Sequence, residues 1–258
     1  MNDRQTISAG ETLPDQLHDA VGNASYVVVF TGAGVSAESG IATFRDAEKA
    51  ALWSRFDPMQ LATAEGFLAD PAMVWGWYTA RRRQVMQALP NPAHEAIASL
   101  AERVPRVEVI TQNIDDLHER AGSDRVTHLH GEILKSRCFD CGAPQDLSAL
   151  SQEPDEQGRL EPPRCAACGG ATRPGVVWFG EMLPEEAMNH AYNAAIQCDL
   201  MISVGTSGVV YPAAELPQPA HDNGAQVIHV NPERPPLVCE RDWCLLGPAG
   251  SWLPRLLV

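Results

Sequence analysis

A histidine that closes an apolar run, His130 in His128-Leu129-His130-Gly131, has the residue type for general base work. A neutral imidazole titrates near neutral pH and can take a proton from a hydroxyl. His128 stands two residues earlier, on the same face if the strand runs on unbroken, so spacing alone does not choose between the two. Position favours His130, which lies nearer the strand end, where ligands of open sheets bind. The bland alternative for either ring is packing or a surface position. Four cysteines form two knuckles, Cys138-Phe139-Asp140-Cys141 and Cys165-Ala166-Ala167-Cys168, with residues 142–164 looping between them. Four thiolates complete a tetrahedral zinc and leave no position for a substrate, so this metal is expected to be structural.

A third candidate is the turn Thr31-Gly32-Ala33-Gly34, which breaks a run of β-branched and aromatic residues, Tyr26 to Phe30. A strand ending in a glycine turn that opens a helix offers free N–H groups and a helix dipole to an anion. Ser36, Glu38, Ser39, Thr43, Arg45 and Asp46 follow, with only Ile41 and Phe44 large and apolar. That composition reads as a ligand-facing loop, since a helix made to pack would carry an apolar stripe. The usual dinucleotide fingerprint has a third glycine that is missing here. A fourth candidate lies on a helix that Asp70-Pro71 should start and Pro90-Asn91-Pro92 should stop, near Leu89. Val74, Trp77, Tyr78, Arg81, Val85 and Leu89 fall along one side of it. Tyr78 and Arg81 are neighbours and could hold a carboxylate with one hydroxyl and a guanidinium fork. Arg81 could equally lay its stem along the surface within Arg81-Arg82-Arg83.

These groups need a scaffold, and the apolar runs supply one. Tyr26–Phe30, Val107–Thr111, Val126–Leu129, Leu200–Val204, Gln226–Val230 and Trp243–Leu246 each stop at a small or polar cluster. The clusters are Gly32-Ala33-Gly34, Gln112-Asn113-Ile114-Asp115-Asp116, His130-Gly131, Gly205-Thr206-Ser207, Asn231-Pro232-Glu233 and Gly247-Pro248-Ala249. Uniformly apolar strands suit a parallel sheet covered on both faces, and ligands bind beyond the carboxyl ends of such strands. The expected fold is therefore α/β: a Rossmann-like, doubly wound parallel sheet with one composite site. Residues 1–14 read as a loose start, Leu17, Ala20 and Val21 as a short helix face, and His94–Ala101 as a further helix. Leu52-Trp53, Phe56-Asp57-Pro58, Leu61-Ala62 and Phe67-Leu68 read as short helices of a small inserted module. Val176–Glu181 and Gly208–Pro212 read as two extended runs.

Hydrophobic residues make up 45% of the chain and charged residues 20%, the balance of a soluble globular protein. A net charge of −14 argues against a nucleic-acid backbone as main partner. It suits basic protein segments, although excess acid also simply aids solubility. No apolar run reaches membrane-spanning length, and Met1–Gly10 lacks a signal-peptide core, so no membrane partner is expected and the cytoplasm is the default location. Nothing in the residues defines an oligomer, and a monomer is the default.

Gly32-Ala33-Gly34-Val35-Ser36-Ala37-Glu38-Ser39-Gly40-Ile41-Ala42-Thr43-Phe44-Arg45 resembles the signature of the sirtuin family of NAD-dependent protein lysine deacylases. Gln112-Asn113-Ile114-Asp115 and His130-Gly131 resemble its catalytic segment and select His130. The resemblance runs from about Tyr26 to Ala249, with the motifs in family order. It implies that NAD binds through Gly32, Ala33, Gly34, Ser36, Ala37, Glu38, Thr43, Phe44, Arg45, Gln112, Asn113, Ile114, Asp115, Gly205, Thr206, Ser207, Asn231, Glu233 and Ala249. It also implies that His130, Asn113 and Asp115 are catalytic and that Cys138, Cys141, Cys165 and Cys168 hold zinc. In the implied reaction nicotinamide leaves and the amide oxygen of an acyl-lysine takes its place on the ribose. His130 then deprotonates a ribose hydroxyl, and water releases free lysine and acylated ADP-ribose.

Tyr78-x-x-Arg81 further resembles the class III subgroup, which removes acidic acyl groups such as succinyl, with Ala62 the small residue that leaves room for them. Val177, Phe179 and Gly180 would receive the acyl-lysine segment, which would add as a strand between the two extended runs. The expected division is 15–45, 90–132 and 173–258 for the NAD-binding domain, 46–89 for a helical part of the small module and 133–172 for its zinc-binding part. The sequence departs from the family pattern at Gly175, where a His is common, and at Gly208 and Asp116. Rival functions are an NAD-dependent oxidoreductase, an ADP-ribosyltransferase and a non-catalytic NAD-sensing scaffold.

Overall fold

A parallel sheet of seven strands organises the chain. The computed structural model describes residues 5–41, 61–146, 153–236 and 238–257. In chain order its elements are β1 (Thr6–Ser8), α1 (Asp15–Asn23), β2 (Tyr26–Thr31), α2 (Gly34–Ala37), α3 (Ala64–Ala69), α4 (Pro71–Gln87), α5 (Pro92–Ser99), β3 (Arg106–Thr111), α6 (Leu117–Arg120) and β4 (Val126–His128). There follow β5 (Gly131–Cys138), β6 (Thr172–Val176), α7 (Glu185–Gln197), β7 (Leu200–Val204), α8 (Pro217–Asp222), β8 (Gln226–Asn231), β9 (Trp243–Leu246) and α9 (Ala249–Leu257). The sheet order is β1-β9-β8-β7-β2-β3-β4, and each neighbouring pair is parallel. From β2 the chain steps outward to β3 and β4; from β7 it steps the other way to β8 and β9. The β2/β7 seam is thus the point where the winding reverses, the place where doubly wound sheets bind ligands.

The residues explain the architecture. Every side chain of β2 and of β7 is buried, as expected for strands covered on both faces. Leu17 and Val21 of α1, Ile97 of α5 and Trp252, Leu253 and Leu256 of α9 close the core around Val27, Val29, Ile202 and Val230.

The chain forms two compact units: Met1–Gly40, Leu89–Leu129 and Pro184–Val258 make the first; Ile41–Ala88 and His130–Leu183 the second. All seven sheet strands belong to the first. In the second, β5 and β6 pair antiparallel with an irregularity between Glu132 and Ser136. Asp70 caps α4 by accepting from the Met73 N–H at 3.1 Å, and Arg159 holds the same carboxylate with two bonds of 2.6 and 2.7 Å. The expected partition differed in giving 41–45, 130–132 and 173–183 to the sheet domain and residue 89 to the small module.

Four expectations are corrected. Residues 1–14 are not uniformly loose: Thr6–Ser8 adds to the sheet edge beside β9, with Ile7 buried. Leu89 does not continue an apolar stripe; it lies beyond the end of α4 and is 71% exposed, whereas Ala72 to Tyr78 are buried all round that helix. The run Val176–Glu181 stops being a strand at Val176, after which Phe179 makes a single parallel bridge to Thr63. Gly208–Pro212 is bend and turn, since Gly208 has φ +68° and cannot continue an extended chain. Thr43, Phe44 and Arg45, and the clusters from Leu52 to Pro58, lie outside the described residues.

Candidate active site

In the first unit, the carboxyl ends of β2, β3, β7 and β8 are bound to one another. Gly32 N–H donates to the Val204 carbonyl (3.0 Å) and Gly34 N–H to that of Gly205 (2.8 Å). A Cβ on Gly34 would lie 2.7 Å from Gly205 Cα, and Gly205 itself has φ +61°. The glycines therefore serve close approach across the winding seam. This corrects the expectation of free N–H groups and a helix dipole: both glycine amides are engaged, and α2 is a single turn. Thr206 ties the other strand ends together. Its Oγ1 accepts from Gln112 Nε2 (3.0 Å) and its carbonyl from Asn231 Nδ2 (3.2 Å). Around this knot Ala33 and Glu233 are exposed, and Ile114 and Ser207 half-buried.

Behind the turn runs a buried hydrogen-bond chain. Asn91 N–H donates to His94 Nδ1 (3.3 Å), so His94 carries its proton on Nε2, which faces Ser36 Oγ at 3.5 Å. Ser36 Oγ also accepts from Asn113 Nδ2 (3.0 Å), and its own hydroxyl donates to Asp115. Burial pushes the Asp115 carboxyl up, against the hydrogen bonds from Leu117 N–H and Ser36. Next to it, Thr31 Oγ1 meets Thr111 Oγ1 at 2.8 Å and His118 Nε2 at 3.0 Å. The rings of His94 and His118 stand edge to face, 4.8 Å apart. Burial lowers the pKa of His94 to about 4 and that of His118 to about 3, so both rings are neutral at pH 7. Sequence reasoning missed this pair. The signal was present: Asn91 and His94 stand at capping-box spacing. Glu38, expected at the cofactor, has a structural task as well, accepting from Gly250 N–H (2.8 Å) at the start of α9, where Ala249 is buried.

The two strand-end histidines differ. His128 places Nδ1 2.9 Å from the Asn113 carbonyl and Nε2 2.7 Å from Glu119 Oε1, so both ring nitrogens are engaged. His130 is half-buried and opens the second unit, its carbonyl accepting from Val177 N–H (2.8 Å).

The second unit also holds the cysteines and the Tyr78 cluster. Cys138 Sγ lies 3.4 Å from Cys168 Sγ, and Cys141 Sγ 3.8 Å from Cys165 Sγ. All four sulfurs fall within 4.8 Å of one another. Zn–S bonds of about 2.3 Å in a tetrahedron require sulfurs roughly 3.7 Å apart, so the cluster fits a closed zinc site. N–H groups of Cys168 and Ala167 hold the Cys165 thiol down to about 7, whereas hydrogen bonds with Cys138 and Cys141 push Cys168 up to about 12, so a cation would be needed to hold all four as thiolates. On α4, Tyr78 is buried and its hydroxyl oxygen accepts from Trp178 Nε1 at 3.0 Å. The Arg81 guanidinium lies 5.1 Å from the centroid of Trp77. Its neighbours are used otherwise: Arg82 bonds the Ile133 carbonyl and Ser136 on β5, and Arg83 pairs with Glu153. Trp178 is held by Arg173, stacked 3.4 Å from its ring centroid, and by Glu181, which accepts from its N–H (2.8 Å). Ala62 is buried and accepts from Phe179 N–H at 2.9 Å. Trp178 was not foreseen as a site residue, because no spacing rule links it to Tyr78, 100 residues earlier.

A parallel sheet knotted at its winding seam, with a four-cysteine module in a separate unit, defines a nucleotide-using α/β protein stabilised by zinc. The Sir2 family pattern matches residues 32–212. A Pseudomonas aeruginosa protein named NAD-dependent protein deacylase 1 is 56% identical over 240 residues, covering 93% of this chain and 96% of that one. A solved Sir2 homologue–NAD complex is 42% identical with a TM-score of 0.86, covering 96% of this chain and 94% of that one. A Sir2 bound to acetylated peptide is 29% identical with a TM-score of 0.81, covering 95% and 97%. The chain belongs to the Sir2 family.

Proposed function

We infer that this chain is an NAD-dependent protein-lysine deacylase, which frees lysine and nicotinamide and leaves the acyl group on ADP-ribose. The observation that carries the reading is the knot of strand ends, Gly32–Gly34, Gln112–Asp115, Gly205–Ser207 and Asn231, backed by the Ser36–Asn113–Asp115 chain. The matching relative named as a deacylase and the solved NAD and acetylated-peptide complexes support it. NAD supplies an activated ribose when bound. Gly32, Ala33, Gly34, Ser36, Ala37, Gly205, Thr206 and Ser207 hold its phosphates, and Asn231, Glu233 and Ala249 its adenosine. Asn113 and Asp115 orient the ribose and nicotinamide, with Gln112 and Ile114 beside them. His130 takes the proton of a ribose hydroxyl; His128, engaged at both nitrogens, does not. Zinc on Cys138, Cys141, Cys165 and Cys168 maintains the second unit and takes no part in the chemistry.

The acyl group determines what Tyr78 and Arg81 are for. Trp178 donates to the Tyr78 oxygen, so the Tyr78 proton remains available to a second acceptor. Burial, opposed by the Trp178 hydrogen bond and the Arg81 charge, pushes the Tyr78 pKa up and keeps it a donor. A fixed hydroxyl donor and a guanidinium three residues on suit the carboxylate of a succinyl or malonyl group, and the small Ala62 would leave room for the longer acyl chain. Val177, Phe179 and Gly180 receive the acyl-lysine segment. The Val177 and Phe179 N–H groups already bond to the His130 and Ala62 carbonyls, so an added strand uses their other edge. Two C-x-x-C knuckles expected to hold zinc suit a reducing compartment such as the cytoplasm. Among the described residues no helix is long and apolar enough to cross a membrane.

The experiment compares succinyl-lysine and acetyl-lysine peptides with NAD in the wild type and in Arg81→Met. Loss of a charged hydrogen bond worth about 1.5–3 kcal/mol should lower succinyl kcat/KM by roughly 10- to 100-fold and leave acetyl turnover within about threefold. Undiminished succinyl turnover would remove the carboxylate role of Arg81. Absence of turnover on both peptides in the wild type would remove the deacylase reading itself.

A further inference from the structure

Outside the proposed site the first unit brings together three side chains of metal-ligand type: His221 on α8, and Cys239 and Asp242 in the connection between β8 and β9. One ligand atom from each lies within 4.8 Å of the other two. His221 Nδ1 is 2.9 Å from Asp242 Oδ1. The carboxylate is fixed from behind: its Oδ2 accepts from Cys239 N–H at 2.8 Å and faces His229 Nε2 on β8 at 3.4 Å. Asp242 is only 5% exposed. His221 is also tied through its carbonyl, which accepts from Arg241 Nη2 at 2.9 Å. Metal sites have this construction, with ligands whose remaining atoms are bonded to a surrounding shell.

We propose that His221, Cys239 and Asp242 form a second divalent-metal site, with nitrogen, sulfur and oxygen ligands that suit zinc or cobalt. Zinc bonds of about 2.0–2.1 Å to nitrogen and oxygen and 2.3 Å to sulfur set ligand atoms roughly 3.3–3.6 Å apart in a tetrahedron. His221 Nδ1 and Asp242 Oδ1, 2.9 Å apart, stand slightly inside that spacing, and no pair of the three is more than 4.8 Å apart, so the ion is accommodated by small side-chain shifts. Binding releases the Cys239 thiol proton and frees the His221 nitrogen from its hydrogen bond to Asp242. The thiolate, the carboxylate and a neutral imidazole then balance the two positive charges. Three protein ligands leave the fourth position to water. Unlike the four-cysteine cluster, this site is open. It would pin the β8–β9 connection to α8.

Cobalt(II) titrated into the zinc-loaded protein tests the assignment. The wild type should take up one further equivalent with thiolate-to-cobalt charge-transfer absorption. Cys239→Ser and His221→Ala should lose that absorption while keeping the first zinc and their deacylase turnover. No second equivalent in the wild type, or an unchanged one in both variants, would overturn the site. A measurement that needs no variant follows alkylation of Cys239 by mass spectrometry with and without added zinc. Metal should slow it at least about tenfold, because a ligated thiolate is a poor nucleophile. An unchanged rate would contradict the proposal.

Discussion

His94 and His118 illustrate how a single side chain can set the pH response of the protein. Both are buried and neutral when folded, with pKa values lowered to about 4 and about 3, and both regain an ordinary value near 6.5 on unfolding. The unfolded chain therefore binds protons that the folded chain does not. Stability from this source is full above pH 6.5 and is lost as the pH falls toward 4. The loss is on the order of 3 kcal/mol for His94 alone. About 2 kcal/mol of the His94 loss falls between pH 7 and pH 5, so urea denaturation of the wild type at those two pH values should show it, and His118→Gln should show a shallower pH dependence, whatever its stability at pH 7. An identical pH slope in the two proteins would mean that the ring is not neutral by burial. Tyr78 gives a second prediction at this scale. Trp178→Phe removes the donor to the Tyr78 oxygen and should raise KM for a succinyl peptide several-fold, on the order of 1 kcal/mol, with a smaller change for acetyl. Equal losses on both peptides would indicate a packing role only.

Among the elements, the β2/β7 seam is a joint sensitive to a single methyl group. Gly205→Ala places a methyl group 2.4 Å from Val35 N and forces a side chain onto a backbone with φ +61°. The substitution should cost roughly 2 kcal/mol or more in chemical denaturation and weaken NAD binding measured by calorimetry. A neutral effect would mean that the strand ends do not approach as described. The strands themselves were legible in the sequence, because β2, β7 and β8 are apolar runs that end in small or polar clusters. The zinc knuckles were legible from spacing alone. Other features were not. β1 has three residues, too few for periodicity to register, and only the neighbouring β9 makes it a strand. The glycine amides looked free because a sequence does not show which carbonyls lie opposite. Leu89 misled because α4 is buried on every side along its first half, which erases the single stripe that a surface helix would show. Gly175 departs from the family pattern for a local reason: a Cβ there would lie 2.9 Å from Lys135 Cβ and 3.0 Å from the Lys135 backbone, beside the irregular β5–β6 pairing.

For the molecule as a whole, the proposed function separates two tasks, nucleotide binding at the strand ends of the first unit and zinc-dependent folding of the second. A structural zinc has no open ligand position, so replacing it by cobalt should leave kcat within about twofold, whereas chelation should lower Tm and abolish turnover. A large change in kcat on metal exchange would place the ion in the chemistry. In the proposed function, His130 drives transfer of an acyl group from lysine to ADP-ribose. Mass spectrometry of the products formed from NAD and an acyl-lysine peptide by the wild type and by His130→Ala tests it most directly. The wild type should yield nicotinamide, free lysine and acylated ADP-ribose in equal amounts, and His130→Ala should still bind NAD but lose this turnover by roughly 100-fold or more. Full turnover by His130→Ala, or wild-type deacylation without acylated ADP-ribose, would contradict it.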